Sequence, residues 1–109
     1  MQQNQTVPFE VAEQLRELGR RVRIARQRRR LDQAELADQC HIARTTLQRM
    51  EGGNPGVAVG SLYTVLWTLG LLPTVTGAAD PDVDEHGKTL EAAHRPRRVR
   101  HAPRDDTDF

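Results

Sequence analysis

The feature that most restricts what this chain can fold into is a pair of short segments with helical apolar spacing, 33–40 and 43–51, separated only by His41 and Ile42. Leu36, Ala37 and Cys40 in the first segment, and Leu47 and Met50 in the second, recur at the intervals that gather side chains on one helix face. Asp32 precedes the first segment as an N-cap, and Glu35 stands three residues on as in a capping box. Upstream, a helix is expected from Phe9, with Leu15, Leu18, Val22 and Ala25 inward and the Arg residues mostly opposite, until Leu31 breaks the pattern. Downstream, Gly52-Gly53-Asn54-Pro55-Gly56 stops the second short helix. A further helix with Leu62, Val65, Leu66 and Leu69 inward runs from about Gly60 until Gly70 ends it.

The Leu71 to Gly77 segment is rich in Thr and Val and bounded by Pro and Gly, so a brief strand is predicted. Nothing else in the chain offers a second strand, and its partner would have to come from another copy. From Ala78 the sequence is polar, holds three of the six Pro and lacks apolar periodicity, which predicts disorder in isolation. The expected organisation is a flexible N-terminus (1–8), an all-α domain of four to five helices with the short strand (9–77), and a charged tail (78–109).

A net charge of +1 conceals blocks of opposite sign. Residues 13–30 carry eight Arg against Glu13 and Glu17, a local 8 − 2 = +6. Residues 80–91 carry five acids against Lys88, or 1 − 5 = −4, after which Arg95, Arg97, Arg98, Arg100 and Arg104 precede Asp105, Asp106 and Asp108. Arg20 to Arg26 suit a solvated face. Arg28 to Arg30 lie at a helix end, where cations meet the negative pole of the helix dipole and can also reach a phosphate.

Several classes are excluded. Cys40 has no partner for an intrachain disulfide, and it is expected in the core; neither it nor the four His residues show zinc-ligand spacing. The N-terminus lacks a secretory pattern, and the most apolar run, 62–72, is well short of the roughly 20 residues needed to span a bilayer. A cytoplasmic location without membrane attachment is therefore expected. The glycines at 52–56 follow a helix and lack Gly-Lys-Ser/Thr, so they are not a phosphate loop. No catalytic constellation has a scaffold to hold it, and neither enzyme activity nor a cofactor or metal is expected.

Two short helices around a tight junction, flanked by helices on both sides, form a helix-turn-helix. The outward face of 43–51 holds no carboxylate. Arg44 and Arg49 can fork onto guanine and Gln48 can pair with adenine, with Thr45 beside them as a base reader. Gln33 can turn its amide and the adjoining helix N–H groups toward a phosphate, with Thr46, Arg29 and Arg30 as further phosphate contacts.

At Asp32-Gln33-Ala34-Glu35-Leu36-Ala37, Ile42, Thr46-Leu47 and Met50-Glu51-Gly52 the sequence resembles the lambda-repressor-like (XRE) helix-turn-helix family over about residues 18–72. His41 stands where that family usually has Gly, and Ala43 where it usually has a Ser or Thr cap, a loss of about 1 kcal/mol. The order of Leu62 to Leu71, a Thr-Val strand and an acidic-then-basic tail is similar to the HipB-like antitoxins. So is the pattern Asp84-Glu85-His86-Gly87-Lys88-Thr89-Leu90-Glu91 followed by Arg97-Arg98-Val99-Arg100.

The resemblance implies a homodimeric repressor of its own operon that binds two-fold symmetric double-stranded DNA. It also implies that the strand pairs across the dimer and that the chain neutralises a HipA-like Ser/Thr kinase toxin. Tyr63 and Trp67, four apart on one helix, read as an interface pair or as ordinary core; on the interface reading they are, together with Leu72 and Val75, the expected dimer contacts. Phe109 is either a docking plug or a frayed end. Two alternatives stand beside this reading: within the same class, a stand-alone XRE repressor whose tail is only a linker, and from a different class, a purely protein-binding adaptor with a degenerate helix-turn-helix whose Arg residues serve an acidic partner.

Overall fold

The structure, a computed structural model, describes residues 6–94. Five α-helices lie within them: α1 (Phe9–Arg28), α2 (Gln33–Cys40), α3 (Arg44–Glu51), α4 (Val59–Thr68) and α5 (Glu85–His94). The chain divides after Thr76 into two compact units.

The first unit is built around Val22 and Ala25 of α1, Leu36, Ala37 and Cys40 of α2, Leu47 and Met50 of α3, and Val65 and Leu66 of α4 with the adjoining Leu69. Leu36, Leu47, Val22 and Val65 are fully enclosed, so the apolar periodicity of each helix is spent on one shared core. Leu15, Leu18 and Leu62, also expected inward, are half-buried.

Local chemistry sets the helix ends. Leu31 N–H reaches the Arg26 carbonyl at 3.3 Å while Arg30, at φ 58°, reverses the chain. The capping box forms as expected: Asp32 Oδ1 accepts from the Glu35 N–H, and Glu35 Oε1 accepts from the Asp32 N–H, each at 2.8 Å. His41 closes α2 in the left-handed conformation (φ 57°, ψ 41°), the backbone state that a glycine would supply more cheaply. Ala43 precedes α3 in extended conformation without a side-chain cap. Gly53, at φ 79°, ends α3 with its N–H on the Met50 carbonyl.

The helix-turn-helix is held to α1 by backbone approach. A Cβ at Gly19 would lie 2.5 Å from the Met50 carbonyl oxygen and 2.6 Å from that of Glu51, so only glycine lets α1 and α3 come this close.

The expected strand is not there. Leu72–Val75 forms a 3-10 turn instead, and Val75 packs against the core while Leu72 is half-buried. After Gly70 (φ 79°) returns the Leu71 N–H to the Leu66 carbonyl at 2.7 Å, Pro73 favours helical φ, and the Thr74 and Thr76 hydroxyls donate to the Leu71 and Leu72 carbonyls. Local bonds thus occupy carbonyls that a strand would have offered to a partner.

The second unit also departs from expectation, because a segment read as disordered from Ala78 contains a 3-10 turn over Pro81–Val83 and then α5. Asp84 Oδ1 accepts from the Gly87 N–H at 2.9 Å, which caps a helix of good helix formers such as Leu90, Glu91, Ala92 and Ala93. Residues 1–5 of the expected flexible N-terminus, the tail arginines from Arg95 to Arg104 and Phe109 lie outside the described residues. Among the described residues no helix is long and apolar enough to cross a membrane.

Candidate nucleic-acid interface

Burial of Leu47 and Met50 decides which way α3 faces. With those two inside, Arg44, Thr45, Gln48 and Arg49 are all exposed, and Thr46 is half-buried at the edge. Among the described residues no salt bridge involves Arg44 or Arg49, so both guanidinium forks are open to an outside acceptor.

Gln33 opens α2, and with Arg44 and Asp32 it lines one open hollow. The first residue of each short helix therefore borders the same depression. Asp32 takes up the Glu35 N–H, while the Gln33 and Ala34 N–H groups belong to the helix terminus that has no intrahelical acceptor. A phosphate in that hollow would meet donors from two elements.

Behind the hollow stands a network that the charge pattern did not disclose. Arg26, counted above among a solvated face, is 8% exposed and forms a two-point pair with Glu51: Nε to Oε2 at 2.7 Å and Nη2 to Oε1 at 3.0 Å. Its Nη1 donates to the Leu31 carbonyl at 3.0 Å. Gln33 Nε2 donates to the same Glu51 Oε1 at 3.0 Å, so one buried carboxylate ties α1, α2 and α3 together and aims the amide of Gln33. Hydrogen bonding to Glu51 pushes Arg26 above the ordinary guanidinium value. A signal was available: 22, 25, 26 and 47, 50, 51 share one helical spacing, which places Arg26 and Glu51 on inward stripes where opposite charges must pair.

The remaining predicted phosphate residues divide. Arg30 and Arg29 are both exposed, but the Arg29 guanidinium is engaged by its own chain, donating to the Ala25 carbonyl at 2.7 Å and to the Leu69 carbonyl at 2.9 Å. Arg29 thereby laces the end of α1 to the end of α4. Farther back on α1, Glu17 accepts from both Arg20 (2.7 Å) and Arg21 (3.0 Å). Those bonds lower its carboxyl to about 2 and offset part of the basic block. Of the expected dimer residues, Tyr63 and Trp67 are exposed on α4, while Leu72 and Val75 are half-buried in the 3-10 turn and do not form the expected strand edge.

Comparison with protein families gives a match over residues 17–72, more than half of the chain, to a family described as a helix-turn-helix domain. No match was found among curated proteins or among solved structures.

Proposed function

The chain belongs to the helix-turn-helix domain family, and from that premise we propose that it is a homodimeric transcriptional repressor that binds a two-fold operator in its own promoter. One observation carries this reading. The solvent-facing side of α3 is free of carboxylates and presents Arg44, Thr45, Gln48 and Arg49, while Gln33 borders the same hollow as Arg44. Arg and Gln are the residues that read base edges by paired hydrogen bonds, and the hollow beside them, where Gln33 and Arg44 supply donors and the Asp32 carboxylate is taken up by the Glu35 N–H, suits the phosphate that sets register.

The finer part of the proposal is an antitoxin role without enzymatic activity, in which the chain neutralises a HipA-like Ser/Thr kinase. Its support is the acidic segment from Asp84 to Glu91 and the Arg-rich segment that follows, a pattern similar to regulators paired with such kinases.

Mobility shifts with promoter DNA at several salt concentrations test the core of the reading. Arg44→Ala and Arg49→Ala are each expected to weaken operator binding by about 1–3 kcal/mol and to relax base preference. Gln33→Ala is expected to weaken all sequences more evenly. Unchanged operator affinity in both Arg variants would remove the assignment of α3 as the reading helix. Co-expression with a HipA-like kinase, where the adjacent gene encodes one, tests the antitoxin part: the expected result is a stable complex with suppressed kinase activity, and an adjacent gene that encodes no kinase would remove it.

A further inference from the structure

A chain that is 28% charged contains no Asp, Glu, Lys, Arg or His from Gly52 to Ala79. Within that stretch α4 leaves three large side chains in solvent: Val59 at 68%, Tyr63 at 40% and Trp67 at 67%. They stand four residues apart, so they run as a stripe along one side of the helix. Gly60 sits among them, and a Cβ there would meet nothing within 4 Å. Beside the start of this stripe lies an apolar hollow of about 310 Å³, walled by Leu15 and Leu18 of α1, Met50 of α3, and Val57, Val59 and Leu62. That size is at the lower end of the roughly 300–1,000 Å³ typical of binding pockets.

We infer that the occupant of this hollow is Trp67 of a second copy, delivered by antiparallel pairing of α4 with its counterpart about a two-fold axis at Tyr63. The inference rests on the homodimer reading and specifies its contact. Val59 and Trp67 are equidistant from Tyr63, about 6 Å along the helix on either side at 1.5 Å per residue. A two-fold axis at Tyr63 therefore brings each Trp67 opposite Val59 of the other copy, at the mouth of the hollow, with bare Gly60 alongside giving the indole room. Tyr63 meets its own counterpart on the axis. Such a contact is isologous and closes at two copies.

The absence of charge selects this occupant. A second copy brings an equally uncharged stripe, so pairing of the two α4 stripes sets no like charges together and leaves no ion unpartnered, whereas an acidic or basic partner would find no complement on α4. Large aromatics in fully desolvated pockets are also the side chains that dominate interface energies.

Trp67 is the one tryptophan of the chain and reports on its own surroundings. The test is intrinsic fluorescence of the full chain across a concentration series without DNA, paired with sedimentation. The expected result is a blue shift of emission that follows dimer formation. Val59→Glu places an acid at the first residue of α4, where the helix dipole favours it, so helicity by circular dichroism should persist while the shift and the dimer are lost. Val83→Glu, an exposed site in the second unit, should leave both intact. A stable dimer in which Trp67 keeps solvent-exposed emission would overturn the seating and leave the homodimer standing. A monomer at every concentration that still binds operator would overturn both. A blue shift that arises only when the kinase is added would assign the stripe to that protein and likewise overturn the proposal.

Discussion

At Glu51 a single buried carboxylate receives two nitrogens of Arg26 and the amide of Gln33, so its removal strands a guanidinium that is 8% exposed. Breaking such a pair from one side costs about 3–5 kcal/mol, because the remaining charge stays out of water without a partner. Glu51→Ala is accordingly expected to lower the denaturant midpoint by an amount in that range, and operator binding of the folded fraction should also weaken because Gln33 loses its anchor. A change under about 1 kcal/mol would mean that Arg26 finds another acceptor. His41 gives the opposite sign. Its left-handed backbone costs a side-chain-bearing residue roughly 1–2 kcal/mol, and its side chain is exposed and outside the core. His41→Gly is therefore expected to raise the midpoint, by up to about 1 kcal/mol after the greater chain entropy of glycine is subtracted.

Between elements, the contact that decides the position of the reading helix is backbone on side-chain-free backbone. Gly19 of α1 lies under the last carbonyls of α3, and an added methyl there would collide with oxygens that cannot rotate away. Gly19→Ala is expected to destabilise by about 1–3 kcal/mol and to weaken operator binding as well, since relief requires α3 to move off α1. Thermal unfolding and mobility shift on the same preparation check both effects, and an unchanged midpoint would show that the two helices separate freely. Helix existence and inward faces in α1 to α4 were legible because the apolar period was sustained and Leu31, the glycines at 52–56 and Gly70 marked the stops, with the Asp32 cap marking the start of α2. The strand predicted at Leu71 to Gly77 failed because β-propensity measures fit to a neighbouring strand, and here Pro73 and the Thr hydroxyls close the backbone on itself first. In α5 the reverse occurred: one cap from Asp84 and a few good helix formers sufficed where the apolar pattern was too weak to signal a helix.

For the whole molecule, the sequence divides its work by charge: basic in α1, uncharged from Gly52 to Ala79, acidic over 80–91, then rich in Arg over 95–104. The proposed reading helix, α3, lies in the first compact unit, and the acidic segment with α5 lies in the second. Truncation after Gly77 is expected to preserve base preference on the operator, to change the salt dependence at most, and to reduce affinity for the proposed HipA-like kinase partner. Titration of both ligands with full-length and truncated protein checks this. Full affinity for the kinase after truncation would move that contact onto the helical body.

What the sequence determined by itself was local: the capping box at Asp32 and Glu35, the stop at Gly53, the inward stripes of four helices, and thereby the outward set Arg44, Thr45, Gln48 and Arg49. Each follows from spacing within a few residues, because helical period and backbone hydrogen bonding act over that range. Helical spacing puts Arg26 and Glu51 on inward stripes, but tertiary structure alone decided which acceptor each guanidinium meets. Arg26 and Arg29 read like their neighbours Arg28 and Arg30 in composition, yet one is locked to Glu51, 25 residues away, and the other to the carbonyl of Leu69, 40 residues away. Whether a guanidinium is free to meet a phosphate depends on which acceptors the packing of α3 and α4 carries to it, and that is a distance in space which no local pattern encodes.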